Sequence, residues 1–524
     1  MVVRRRRKPT SLRPRGNVSG RGSASAPQAQ QAPLVGTEPA GGPELGEVGR
    51  YAPVDDGSGV RPGHPLADVR GNERLQGFEQ GFRDRFAALI PVLREIHAMQ
   101  HEKDFAERAQ SVAERRLGVS LPRQVLEDAW INHLDTRRLY LEGSFRLFDR
   151  MVNEYWAGRD DLVAEAESAI AWFLDCDFHE VDISPCSDGR LLGLRRFILR
   201  LPDMAVRVKS YAGALFDIEE DVRHWTKREL LRFREGRPTT ADVPSRYLKV
   251  AAYHYSSADP DHQGCTAHAS CEREAADAAL RQLRAFRQAV ENTYCCGASV
   301  DTLLIGVDTD TDAIKVHVPD GDTRMSLYRF VDSAALYRET QDMNEQDASL
   351  AVYRAIQDTV HQQGWGTGNG APHEGMLRFI SRLLMNNLSQ LDYVARYHGG
   401  HYADVGHRER MIIVGQEVEE MQVRNFAYIA HLDTMEEGAE SMDVGVNKVF
   451  RKLNVERGLP VPVVVHFRYD RKVPGSRERV EARCRRVRDE IMKRYRDLSE
   501  KGLIGCHMVI RDKRSGSQLE PLEA

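Results

Sequence analysis

Three potent side chains stand at every second position in Cys186-x-Asp188-x-Arg190, directly after the alternating run Val181-Asp182-Ile183-Ser184-Pro185. A thiolate can bind zinc, a carboxylate can accept a hydrogen bond from a metal-bound water, and a guanidinium can hold that carboxylate in a fork. Taken alone, the segment describes equally well a half-buried cysteine, an Asp-Gly turn and a surface arginine. A second segment shifts the balance. Lys249-Val250-Ala251-Ala252-Tyr253-His254 reads as a strand with His254 near its end, and Gly264-Cys265-Thr266 precedes a helix expected from 271. Cys186, His254 and Cys265 would then form a Cys-His-Cys set. Three protein ligands plus water is the arrangement of a catalytic zinc, whereas structural sites usually close all four positions.

The elements that must position these residues follow from hydrophobic period. A strand over 178–184, a helix, a strand over 247–255, a helix over 271–294 and a strand over 301–308 make one α/β unit. A second run repeats the order: strand 411–415, helix 440–454, strand 462–468, helix 475–499, strand 503–510. The alternation predicts α/β layers with substantial parallel pairing, and loops at the carboxyl ends of such strands are where ligands sit. Upstream, Leu75, Phe78, Phe82, Phe86, Leu89 and Leu93 mark one face of a helix. Further helices are expected over 103–117, 122–134 and 136–156. The predicted organisation is an interaction arm over 1–65, a helical domain over 66–157, a zinc-binding α/β domain over 158–400 and a C-terminal α/β domain over 401–524. Only the order of elements repeats between the two halves, which suggests an ancient duplication.

Composition bounds the rest. The 524 residues are 41% hydrophobic and 29% charged, as expected of a globular chain with about three domains. No apolar run approaches the ~20 residues of a membrane-spanning helix. Arg4 to Lys8 are followed by Pro9, Ser11 and Pro14 rather than an apolar stretch, which argues against an export signal. Eight sparse cysteines do not form a disulfide framework. Eight basic residues precede the first acidic one, Glu38, while the whole chain totals -4, so a cationic arm is joined to an acidic body. That arm, rich in Gly, Pro, Ser, Ala and Gln, is predicted to be disordered. With an acidic body and no recognition module, nucleic-acid binding is not expected. Gly364 to Gly370 lacks the spacing of a dinucleotide fingerprint and reads as a loop. His398-Gly399-Gly400-His401 reads as a surface turn, and Cys295-Cys296 as packing at a helix end.

The motif Cys186-x-Asp188-x-Arg190 with a later His and Cys resembles the β class of carbonic anhydrases. The β class normally spaces its last two ligands His-x-x-Cys, which His262-Gln263-Gly264-Cys265 satisfies, so His262 competes with His254. His254 is preferred because it ends a strand, and because an enlarged His-to-Cys loop is a feature of the carboxysomal, divergent (formerly ε-class) subfamily. The helical domain before the site and the α/β run after it fit that subfamily over about 70–520. The resemblance implies one Zn2+ per chain on Cys186, His254 and Cys265, generating a hydroxide that attacks carbon dioxide to give bicarbonate. It implies that Asp188 orients the hydroxide, that Arg190 keeps Asp188 ionised and off the metal, and that His262, His268 or another histidine exports the proton. It further implies a degenerate second copy without a site, a homo-oligomer built from dimers, and a place inside the carboxysome or on its shell's inner face. The arm would engage Rubisco or another component there. The alternative is a non-catalytic adaptor with a structural zinc.

Overall fold

The computed structural model describes residues 63–523 apart from 132, 156–161, 203–204, 241, 243–244, 294–297, 323, 363–369 and 515–516. The arm up to residue 62, Cys295-Cys296 and Gly364 to Asn369 therefore lie outside the described residues.

Helices Val69–Ala87, Leu89–Ala98, Phe105–Arg116, Arg123–Ile131 and Thr136–Tyr155 open the fold. The single face expected from Leu75 to Leu93 is divided between two helices at Ala88. Pro91 falls in the first turn of the second one, where a missing N–H costs nothing.

Two sheets follow. The first contains β1 (Glu180–Pro185), β2 (Arg207–Val208), β3 (Ser245–Tyr255), β4 (Ala298–Asp308), β5 (Ile314–His317) and β6 (Val331–Asp332), in the order β2-β1-β3-β4-β5-β6. Pairing is parallel from β2 to β4 and antiparallel beyond. The second contains β7 (Met411–Gly415), β8 (Ala427–His431), β9 (Val461–Tyr469), β10 (Ile504–Asp512) and β11 (Glu520–Leu522), in the order β8-β7-β9-β10-β11. Pairing is again parallel across the first four and antiparallel at the last. The six strands expected from period are β1, β3, β4, β7, β9 and β10. The strands not anticipated are short, at two to five residues.

β3 is buried almost throughout, and its Ala251 and Ala252 share one core with Ala275, Ala279, Leu283 and Phe286 of helix Glu272–Thr293. Continuous apolar sequence is what a central parallel strand covered on both faces requires. In the second sheet alternate residues divide. Ile413, Ile429, Val464 and Val509 pack with Phe82, Phe86 and Leu147 of the helical domain. Ile412, Val414, Val463 and Val465 pack with Cys484, Val487 and Ile491 of helix Ser476–Arg494. The helical domain thus covers one face of the C-terminal sheet. The two sheets meet at their edges, where Ile429 N donates to Ser187 O (3.2 Å) and Ser210 N to His431 Nδ1 (2.6 Å). That junction lies beside Cys186.

Candidate metal centre

Cys186 follows the last residue of β1, and its amide donates to Ala252 O of β3 (3.2 Å), continuing the strand register one step into the loop. His254 is the penultimate residue of β3, and Cys265 caps the short turn Thr266–His268. Their ligand atoms lie within 4.8 Å of one another, with all three side chains buried. The two sulfurs are 3.8 Å apart. That is far beyond a disulfide, and it is the separation of about 3.8 Å that two sulfurs have when each lies ~2.3 Å from a tetrahedral ion. Both ring nitrogens of His254 are buried without a hydrogen-bond partner. Buried polar atoms are nearly always satisfied, so an imidazole left this way fits a metal ligand. The donor set, two thiols and one imidazole, is that of zinc.

Proton accounting points the same way. The contact with Cys265, and then burial, push the Cys186 thiol well up, while the same contact draws Cys265 down. A divalent cation removes this opposition, because both cysteines bind it as thiolates. Gly213 N donates to Cys186 Sγ (3.3 Å). Gly213 has a φ of +68°, and an added Cβ would fall 2.6 Å from His268 Nε2, so glycine is needed twice over.

Asp188 stands beside this set, its Oδ2 3.4 Å from His254 Nε2. Arg190 grips it as a fork, Nε to Oδ1 at 2.9 Å and Nη2 to Oδ2 at 2.7 Å. Burial would raise the Asp188 carboxyl, but Arg190, with His407 and His254 beyond, outweighs burial and holds it well below the usual carboxylate range. The five residues singled out from sequence are therefore brought together. His262 is not among them: it is exposed and paired with Asp259 (2.8 Å). His268 is half-buried, with its ring against Gly213. His398 and His401 flank a Gly-Gly turn, and the His398 ring lies tilted against Tyr402, with centroids 4.6 Å apart.

Several neighbours escaped the sequence reading. His407 Nε2 lies 3.1 Å from Thr266 Oγ1 and 3.8 Å from Asp188 Oδ2, while its Nδ1 meets Glu409 Oε1 at 2.9 Å. Burial lowers His407, but Glu409 and Asp188 prevail and raise it to about 9. Glu409 also accepts from Gly189 N (3.2 Å). Ser441 Oγ meets Ser187 Oγ at 3.2 Å, and Tyr428 OH donates to Ser441 O (3.0 Å). His407-Arg408-Glu409 was a visible signal, but nothing local connected it to residues over 200 positions earlier. Asp188, His407 and Glu409 also gather as possible ligands. Arg190 already engages both oxygens of Asp188, however, so this group reads as a hydrogen-bonded network.

Models of the Carboxysome Shell Carbonic Anhydrase family match in three consecutive parts: N-terminal over 64–156, catalytic domain over 168–407 and C-terminal over 408–524. The chain is 47% identical over 460 residues to the carboxysome shell carbonic anhydrase of Halothiobacillus neapolitanus, covering 87% of this chain and 89% of that one. It is 44% identical over 477 residues to the protein of that name from Prochlorococcus marinus strain MIT 9313, covering 88% and 91%. For Parasynechococcus marenigrum the figures are 46% over 467 residues, 87% and 78%.

Proposed function

Because the chain belongs to the carboxysome shell carbonic anhydrase family, we infer that it hydrates carbon dioxide reversibly to bicarbonate at a zinc held by Cys186, His254 and Cys265. It is a zinc-dependent carbonic anhydrase of the carboxysome, with one zinc per chain. The observation that supports the ligand assignment is the buried convergence of two sulfurs on an imidazole whose ring nitrogens make no hydrogen bond. When bound, zinc supplies a nucleophilic hydroxide near neutral pH by lowering the pKa of its water. Asp188 would accept a hydrogen bond from the attacking oxygen and so orient it for carbon dioxide. Arg190 keeps the carboxylate ionised, and its two-point grip prevents Asp188 from swinging onto the metal beside His254.

A structural-zinc adaptor would require a fourth donor. Among the described residues none joins the three, and Asp188 is committed to Arg190. Metal analysis joined to stopped-flow carbon dioxide hydration tests the choice. One zinc with turnover supports the enzyme, and one zinc without turnover supports the adaptor.

The finer organisation is also our reading: an arm over 1–65, a helical domain over 66–157, a catalytic domain over 158–400 and a degenerate second copy over 401–524. Three observations support duplication. The strand orders match over five strands, with β6 an addition to the first sheet. Gln416 N donates to His466 O (2.8 Å) as Cys186 N does to Ala252 O (3.2 Å). A 3-10 turn begins three residues later in both, at Gly189 and at Glu419. Position by position, Gln416, Val418, Glu420 and Arg468 then stand where Cys186, Asp188, Arg190 and His254 stand. Glu420 is paired with Arg511 (2.6 Å), and no cluster of metal-binding side chains gathers there among the described residues. Supply of carbon dioxide to Rubisco, recruitment by the arm to Rubisco or another carboxysome component, and assembly as a homo-oligomer built from dimers complete the proposal.

A further inference from the structure

Arg190 is fixed on more sides than the one facing Asp188. Its Nη1 donates to the carbonyls of Gln263 (2.5 Å) and Val405 (2.9 Å) and lies 3.4 Å from Thr309 Oγ1. A second buried guanidinium stands behind these partners. Arg424 donates from Nη1 to the carbonyl (3.1 Å) and the carboxylate (2.9 Å) of Asp404, and from Nη2 to Thr309 O (2.6 Å). Its guanidinium lies over the Tyr402 ring at 4.2 Å. Arg424 therefore grips Thr309 and the residue next to Val405, the two segments against which the head of Arg190 rests. Its own hydrogen bonds go to neither Asp188 nor the three metal-binding side chains.

The following residue holds the other end of the motif. Asn425 N donates to Gly189 O (2.7 Å), the carbonyl between Asp188 and Arg190. Its Nδ2 donates to Asp404 Oδ2 (3.2 Å) and Gly406 O (2.7 Å), and its Oδ1 accepts from Arg408 N (3.0 Å). The backbone there has a φ of +60°, uncommon for a residue with a Cβ and more readily tolerated by asparagine. Such a conformation persists only where its surroundings over-determine it. A buried arginine carries a desolvation cost that an apolar residue would avoid, so stability alone is a weak reason for its presence.

We propose that Arg424 and Asn425, supplied by the C-terminal half, are positioning residues for the Asp188–Arg190 pair. The inference rests on the reading of that pair as catalytic. A guanidinium free to shift changes where the Asp188 carboxylate accepts its hydrogen bond, and misplacement of about 1 Å costs on the order of 100-fold in rate.

The test uses full-length, zinc-loaded protein carrying Arg424→Gln, Arg424→Lys, Asn425→Gly, Arg190→Lys, or Arg424→Gln with Arg190→Lys. Zinc content, melting temperature, kcat and KM are measured for each. Arg424→Gln should lower kcat about 10-fold or more at full zinc content, with KM little changed. Arg424→Lys should recover part of the loss, since an ammonium still reaches one of the carbonyls. In the Arg190→Lys background, Arg424→Gln should add little, because both act on one geometry. Parental kcat in folded, zinc-loaded Arg424→Gln, or full additivity in the double variant, overturns the proposal. Should Arg424→Gln not fold, Asn425→Gly decides: it keeps the backbone conformation and loses the side-chain bonds, and an unchanged kcat overturns the proposal. If Arg190→Lys itself leaves kcat unchanged, the catalytic-pair reading has failed and this inference fails with it. If Arg190→Lys is impaired and Arg424→Gln is not, only the positioning role is lost.

Discussion

At the scale of single residues, two experiments separate metal binding from catalysis. Cys186→Ala, His254→Ala and Cys265→Ala should each abolish stoichiometric zinc and hydration, whereas His262→Ala should keep both, since His262 is exposed and bound to Asp259. Zinc quantification after dialysis against a weak chelator checks this. Retention by His254→Ala with loss by His262→Ala would reverse the ligand assignment. Asp188→Ala should keep zinc and lose on the order of 100-fold in kcat, the scale of a lost transition-state hydrogen-bond partner. Arg190→Gln carries a pH signature. With Arg190 present, the Asp188 carboxyl is held well below its usual range. Without it, burial is opposed by less positive charge and the pKa climbs. A depressed carboxylate is ionised through neutral pH and protonates only below its lowered folded pKa. In Arg190→Gln the acid limb of kcat/KM should therefore move to higher pH, and an unmoved limb would refute the role given to Arg190.

At the scale of elements, the site depends on how strand ends and loops are presented to one another. The register of β1 on β3 brings Cys186 beside His254, and the short turn after Cys265 returns the second sulfur. Gly213 seals this arrangement with an N–H directed at Cys186 Sγ. Gly213→Ala places a methyl into the His268 ring at a backbone conformation alanine disfavours. Zinc release to a chelator should accelerate while the overall fold survives, read as faster loss of metal at unchanged circular dichroism. An unchanged release rate would mean that the N–H···S contact contributes nothing to retention.

At the scale of the whole molecule, the C-terminal half helps to build the metal centre of the catalytic domain. Glu409, Asn425 and Ser441 reach the loop at 187–189 from the C-terminal half. Phe426 packs edge-on to Phe82 and Phe86 of the helical domain at 4.4 and 4.7 Å, so all three domains converge there. All of these contacts are made between residues 82 and 441. Deleting residues 1–62 should accordingly leave zinc content and hydration rate within about twofold, while reducing capture into carboxysomes. Co-sedimentation with purified Rubisco should weaken for the full-length protein as salt rises, because exposed charges are screened beyond ~10 Å at 0.1 M. Equal packaging of the truncated protein would assign recruitment to the folded body.

What the amino-acid sequence determined by itself was whatever is encoded locally. Short β-branched, apolar segments located β1, β3, β4, β7, β9 and β10, and their order among the helices suggested a repeat. Asp188 and Arg190 lie on one short loop, so spacing named them as a candidate pair and the resemblance gave that pair a role. The preference for His254 over His262 came from strand position and the subfamily's longer loop, and the fold adds that His254 is buried with no hydrogen bond on its ring while His262 is exposed. Gly213, Thr309, Arg424 and Asn425 left no readable signal, and the visible pair His407 and Glu409 could not be tied to the site, because each acts through a contact formed across tens to hundreds of residues. Pairing at that range depends on register, crossover and domain packing rather than on neighbouring residue types, and only the tertiary structure decides those.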